Sequence, residues 1–191
     1  PLEVDLKLTR NFLSLVDKYC FGVSITTKGL LIERDIDLLT SISKKNPAIC
    51  ELTITTYQDD LSKIIEPNAP VSSKRFKVLS TLTNAGLFAG IVLMPVLPFI
   101  EDNENNILEI IKQAADSGAR FIYPYFGVTL RHNQREYYYN KLVSAFPDTN
   151  YLMQYKSLYG ESYECAIPNR AELELIFQEK SSSCCNSAKK L

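Results

Sequence analysis

The sequence predicts an α/β fold in which parallel strands alternate with helices as in a barrel, but over only four βα units. Three observations carry this. Apolar, β-branched runs at residues 22–27, 48–55, 88–94 and 119–126 are each followed by a helical pattern, at 33–45, 72–85, 103–117 and 133–146. Such alternation argues for βαβ units on one parallel sheet. Four strands cannot close a barrel of about eight, and the chain opens on a helix. It therefore reads as the back part of a larger fold whose missing front carried some of the chemistry.

The elements follow in order. A first helix over about residues 4–19 places Leu8, Phe12, Leu15 and Tyr19 on one face at i, i+4, i+7, i+11 spacing. Gly22 breaks it, and Val23-Ser24-Ile25-Thr26-Thr27 follows as a buried strand. The next helix has an acidic start, Asp35 and Asp37, that suits its dipole, and Pro47 closes the unit. The second strand runs through Thr56 into a short helical segment at 59–65, and Glu66-Pro67-Asn68-Ala69-Pro70 is a rigid connection. Ser72 caps a helix in which Phe76, Leu79, Leu82 and Thr83 share a face, and Gly86 provides its left-handed stop. The third strand ends at Met94-Pro95. Asp102 caps a helix whose Ile107, Ile110, Ile111 and Ala114 face the sheet, ended by Gly118. The last strand leads through 127–132 into an aromatic helix with Tyr137, Tyr138 and Tyr139, a cluster that reads as helix packing. Segments 148–159 and 170–177 read as peripheral helices, and 180–191, rich in Ser, Lys and Asn, as a disordered tail. No repeat or linker divides the chain. Residues 1–165 are assigned to the barrel part, and 166–191 to a peripheral helix and flexible tail.

Composition narrows the function classes. The 191 residues carry a formal net charge of -1, which makes no electrostatic case in this chain for nucleic acid or an anionic membrane. No apolar run reaches the ~18 residues a span requires; the longest, 88–100, is interrupted by Pro95 and Pro98. No signal segment opens the chain, and Pro1, not Met, begins it, as in a trimmed chain. The five cysteines are odd in number and irregularly spaced, which points to a reduced, cytoplasmic setting. Cys20 and Cys50 read as small core hydrophobes. Cys184-Cys185 is a candidate metal pair, though no second pair or His stands at ligand spacing.

In parallel barrels functional groups lie at the carboxyl ends of strands. That rule selects Thr26, Thr27 and Lys28; Thr53, Thr55 and Thr56; Met94 and Pro95; and Tyr123, Tyr125, Gly127, Thr129, Arg131 and His132. Lys28 there is either a point cation for a ligand carboxylate or phosphate, or a solvated loop lysine. Thr53 and Thr55 share a face, so their hydroxyls either meet ribose or carboxylate oxygens or reflect strand propensity alone. Glu66 and Arg75 flank the Pro-rich connection and either pair across it or touch a ligand. His132, the lone histidine, has no adjacent nucleophile or carboxylate dyad and reads as a loop residue. No Gly-rich phosphate loop, Walker motif, His-Glu-x-x-His or dinucleotide fingerprint is present.

An ordered set of motifs then resembles a known family. It comprises Pro1-Leu2-Glu3 with Leu8-Thr9-Arg10, Ser24-Ile25-Thr26-Thr27-Lys28, Thr53-Ile54-Thr55-Thr56, Glu66-Pro67 with Ala69-Pro70 and Arg75, and Ala85-Gly86. Met94-Pro95 with Leu97-Pro98, and Gly127-Val128-Thr129-Leu130-Arg131 with Asn133-Gln134-Arg135-Glu136, complete it. The set, over about residues 1–168, resembles radical S-adenosylmethionine proteins of the spore photoproduct lyase and DNA repair photolyase-like branch.

The resemblance implies a partial (β/α)6, TIM-like barrel, of which this chain holds about four C-terminal βα units, the third to sixth. It implies S-adenosylmethionine as cosubstrate and a [4Fe-4S] cluster whose Cys-x-x-x-Cys-x-x-Cys ligands would precede Pro1. No metal ligand is assigned here, and the chain alone is expected not to perform the reaction. In that reaction one electron from the cluster breaks the sulfonium C–S bond, and the resulting 5'-deoxyadenosyl radical takes hydrogen from substrate. Lys28 would sit near the methionine carboxylate, Thr53 or Thr55 near carboxylate or ribose, and Met94-Pro95 near adenine. Glu66, Arg75, Tyr123 and Arg131 are candidates for substrate contact or ion pairing. An electron donor is implied for the whole protein. Lyase or nucleic-acid repair chemistry is implied by resemblance only. The rival readings are a non-catalytic barrel remnant serving as a binding or scaffold module, and an aldolase-like fragment using Lys28 as Schiff-base nucleophile, for which no supporting acid is evident.

Overall fold

The computed structural model describes residues 2–185. Its elements run α1 (Leu2–Leu6), α2 (Leu8–Lys18), β1 (Val23–Thr27), a 3-10 turn (Leu30–Asp35), α3 (Ile36–Ser43), β2 (Ala48–Thr53), α4 (Asp59–Ile65), α5 (Ser72–Asn84) and β3 (Phe88–Leu93). They continue with α6 (Glu104–Asp116), β4 (Ile122–Pro124), β5 (Gly127–Thr129), α7 (His132–Ala145), α8 (Tyr151–Tyr159), β6 (Glu164–Ala166) and α9 (Arg170–Cys185). The sheet β1-β2-β3-β4 is parallel throughout and in sequence order. This is the expected arc of βα units, with β1 and β4 as its edges.

The two faces of the arc differ. Cys50, Leu52, Ala89, Ile91 and Leu93 pack with Leu39, Ile42, Leu79, Leu82, Ile107 and Ile110 in one buried core, so the helices cover this face. Strand alternation sends the intervening residues to the other side. There the register lines up Ser24 with Ile49 and Phe88, Thr26 with Glu51 and Gly90, and Thr53 with Val92 and Tyr123. Phe88 and Tyr123 are exposed. The Thr26 hydroxyl donates to the Glu51 carboxylate. At Gly90 a Cβ would stand 2.4 Å from the Phe121 carbonyl oxygen, so only glycine fits.

Several expectations are corrected. The first helix is two, broken at Lys7, whose φ is 51°. Its apolar face, Leu8, Phe12, Leu15 and Tyr19, is exposed, and Leu13 and Val16 are the buried residues. The position of α3, which α2 packs against, decides which side of α2 is covered. Asn103, not Asp102, caps α6, its Oδ1 accepting the Asn106 amide at 2.9 Å. Cys20 is exposed and left-handed, whereas Cys50 is buried. The antiparallel pair β5–β6 was not foreseen, since three-residue strands carry too little periodicity. Leu173 and Phe177 of α9 enter the main core, Phe177 edge-on to Phe126 at 5.9 Å, so this helix is not peripheral. Residues 180–185 continue α9, while 186–191 of the expected tail, and the thiols of the candidate pair Cys184-Cys185, lie outside the described set. Among the described residues no helix is long and apolar enough to cross a membrane.

Candidate functional site at the carboxyl ends of the strands

The loops leaving β1, β2 and β3 converge with the connection after α4 on a cleft of about 590 Å³. Lys28, Thr55, Glu66 and Pro95 line it, each from a different loop, with Leu97, Val128 and Tyr138 as apolar walls. Its size falls in the range of small-molecule sites.

A relay of charge forms one side. Arg75, on α5, is 1 % exposed and spends its donors inward: Nε to the Pro70 carbonyl at 2.6 Å, Nη1 to the Thr53 carbonyl at 2.8 Å, and Nη2 to Glu66 Oε2 at 2.5 Å. The guanidinium thus ties the end of β2 to the Pro-rich connection. The other oxygen of Glu66, Oε1, lies 3.5 Å from Lys28 Nζ. A buried arginine fixes the carboxylate, and the carboxylate tethers an ammonium that keeps donors for a ligand.

Buried Asn106 ties these loops together without lining the cleft. Its Nδ2 donates to the carbonyls of Thr55 at 2.9 Å and Glu101 at 3.0 Å, and its Oδ1 accepts the Tyr57 amide at 3.1 Å. Beside it Glu101 is wholly buried, and Oε2 accepts the Leu97 amide at 3.0 Å. Burial pushes the Glu101 carboxyl up to about 7; the Thr55 hydroxyl and the Leu97 amide oppose the rise, and Glu66 and Asp102 reinforce it. Sequence reasoning missed both residues. A lone acid closing the apolar run 88–100 was the available signal for Glu101; Asn106 looked like an ordinary first-turn residue.

The other predicted residues are dispersed. Thr53 is buried on the open-face row with Val92 and Tyr123, and it reaches the relay through its carbonyl. Met94 joins Pro95 through a cis peptide bond and does not line the cleft. Tyr123 is exposed on the open face. Arg131 is exposed at the start of α7, outside the cleft lining, and His132 is the first residue of that helix. A second cleft of about 360 Å³, with Tyr137, Lys141 and Phe146, adjoins the first across Pro67, Leu97 and Tyr138.

The residues suit a zwitterionic small molecule: a cation for its carboxylate, hydroxyl and carbonyl groups for its polar atoms, and apolar walls. They do not suit an iron–sulfur cluster. Among the described residues no three His, Cys, Asp or Glu side chains are gathered to hold a metal, and Cys20, Cys50 and Cys165 sit in separate elements.

No family model matches the chain. It is 38 % identical over 104 residues to an uncharacterized protein of Methanocaldococcus jannaschii, covering 54 % of this chain and 39 % of that one. It is 27 % identical over 137 residues to an uncharacterized protein of Mycobacterium tuberculosis, covering 72 % of this chain and 39 % of that one. The chain thus spans well under half the length of these relatives. Among solved structures it is similar to spore photoproduct lyase complexed with dinucleoside spore photoproduct, at TM-score 0.63 and 13 % identity, covering 93 % of this chain and 54 % of that one. A mutant of spore photoproduct lyase aligns at TM-score 0.62 and 13 % identity, covering 92 % of this chain and 52 % of that one. The chain shares the fold of about half of each lyase chain.

Proposed function

We propose that this chain is the cosubstrate- and substrate-holding part of a radical S-adenosylmethionine enzyme of the spore photoproduct lyase type. The observation that carries the reading is the Arg75–Glu66–Lys28 relay, which presents an ammonium at the carboxyl end of a four-stranded parallel arc. The shared fold supports it.

Lys28 would hold the methionine carboxylate, and Glu66 keeps the ammonium in place. Thr55 offers a hydroxyl at the cleft, Pro95 brings the β3 exit to its wall, and Leu97, Val128 and Tyr138 exclude water. Thr53 would act by holding Arg75 through its carbonyl; Met94 would support Pro95. Bound S-adenosylmethionine would supply the adenosyl group for radical chemistry, which is the cosubstrate's own. The described residues hold no ligand set for the reducing cluster, so no redox step is assigned to them. Cluster and electron donor are assigned to the rest of the protein. One solved lyase holds a dinucleoside photoproduct. By that likeness a nucleic-acid lesion is the proposed substrate class, and the adjoining aromatic cleft with Lys141 its place.

Calorimetric titration of the chain with S-adenosylmethionine tests the reading. Saturable binding that weakens about tenfold or more in Lys28→Ala is expected, the loss of a charge-assisted contact. Binding indifferent to that substitution would overturn it.

A further inference from the structure

Glu101 lies wholly buried beneath the cleft and contributes to its lining, yet half of its carboxyl is unsatisfied. Oε2 accepts the Leu97 amide, while Oε1 has no hydrogen-bond partner. An ionised carboxylate with an orphan oxygen in such surroundings is unfavourable. The polar neighbour able to complete it is the Thr55 hydroxyl, which stands beside the carboxyl and also lines the cleft.

The charges around Glu101 favour its neutral form. Glu66 faces it from the connection after α4, and Asp102 follows it in its own turn; both are acidic. Tyr138 lies above it on α7. Lys28, which lines the cleft, and Arg75 are both engaged by Glu66. A ligand carboxylate on Lys28 would bring one more negative charge.

We propose that Glu101 is a positioning residue acting through Thr55: as the neutral acid it donates from Oε1 to Thr55 Oγ1 and so turns the Thr55 hydroxyl proton toward a carboxylate held by Lys28. The inference rests on the cosubstrate reading above. As a carboxylate, Glu101 instead accepts the Thr55 proton, and only lone pairs then face the ligand. Because burial has pushed Glu101 up to about 7, the two forms exchange near neutrality. The sign follows from linkage. If the acid form binds, ligand uptake takes up a proton and affinity falls as pH rises.

The test is calorimetric titration of the 191-residue chain with S-adenosylmethionine, in buffers of different ionisation enthalpy. From about pH 6 to about pH 8.5 the unaltered chain is expected to lose affinity about 30-fold, with net proton uptake. Glu101→Gln, whose amide also donates to Thr55, is expected to keep the low-pH affinity and to lose the proton uptake. The ligand's own ammonium titrates equally in both titrations, so their difference isolates Glu101. Thr55→Val is expected to weaken binding at low pH and flatten the profile. In the ligand-free chain, the Glu101 carboxyl carbon followed by NMR should titrate near neutrality, and higher in Thr55→Val. A midpoint in the ordinary range of about 4 to 5, or an unchanged pH profile in Glu101→Gln, would overturn the inference. Binding that needs Lys28 but takes up no proton through Glu101 overturns this inference alone; no binding at any pH overturns the cosubstrate reading and this inference with it.

Discussion

Arg75 and Arg10 both clamp carboxylates, one beneath the cleft and the other at the open edge of the sheet. Arg75 is 1 % exposed and holds two backbone carbonyls as well as Glu66. The Arg10 side chain is 31 % exposed and bridges Asp35 at 3.1 Å and Asp37 at 2.7 Å, while Arg34 joins Asp35 to Glu3. The edge network ties α1 and α2 to the 3-10 turn; water reaches Arg10, Arg34 and Asp37 there, while Asp35 is buried. Beneath the cleft the arginine itself is out of water's reach, so the same chemistry sets the shape of a site there and fastens helices at the edge.

The largest test of that contrast is Arg75→Ala. It takes away the buried partner of Glu66 Oε2 and of the Thr53 and Pro70 carbonyls and should cost about 3 kcal/mol in denaturant unfolding; a loss no greater than that of an edge substitution would break the comparison. Next come two neighbours on α2. Leu13→Ala removes a fully buried side chain and should cost about 3 kcal/mol. Phe12→Ser, on the exposed stripe, should stay within about 0.5 kcal/mol. Equal costs would show that the stripe is covered in solution. Smaller still on stability is Lys28→Ala. Its side chain is 42 % exposed, so the 3.5 Å pair with Glu66 should contribute under about 1 kcal/mol. The variant should therefore lose ligand affinity without losing its fold.

The smallest effect concerns acid. Arg10 beside Asp37 holds that carboxyl down at about 2. A lowered native pKa stabilises the fold above the ordinary carboxylate range and is lost as pH falls through the native value. Edge stability should therefore decline from about pH 4 toward about 2. Asp37→Asn should remove the slope, and added salt should shrink it. Urea midpoints measured across that interval decide it.

Much of the arc was legible because its signals are local. The runs feeding β2 and β3, and the stripes Phe76-Leu79-Leu82 and Ile107-Ile110-Ile111-Ala114, state both the element and its buried face. Lys28, Thr55 and Pro95 were found by a positional rule that needs only strand ends, and Glu66 by its place beside the Pro-rich connection. The stripe of α2 was legible as one apolar face, but its spacing does not say what covers it, and the structure leaves it exposed.

From the amino-acid order alone came the four βα units, their parallel arrangement and the end of the sheet where chemistry belongs, since periodicity and strand polarity are properties of neighbouring residues. Only the tertiary structure decided that Arg75 reaches Thr53, that Glu66 is shared between Arg75 and Lys28, and that Glu101 lies beneath Thr55 with one oxygen unpaired. Those pairings join residues from separate loops, and burial there changes what a charge costs, which no local pattern encodes.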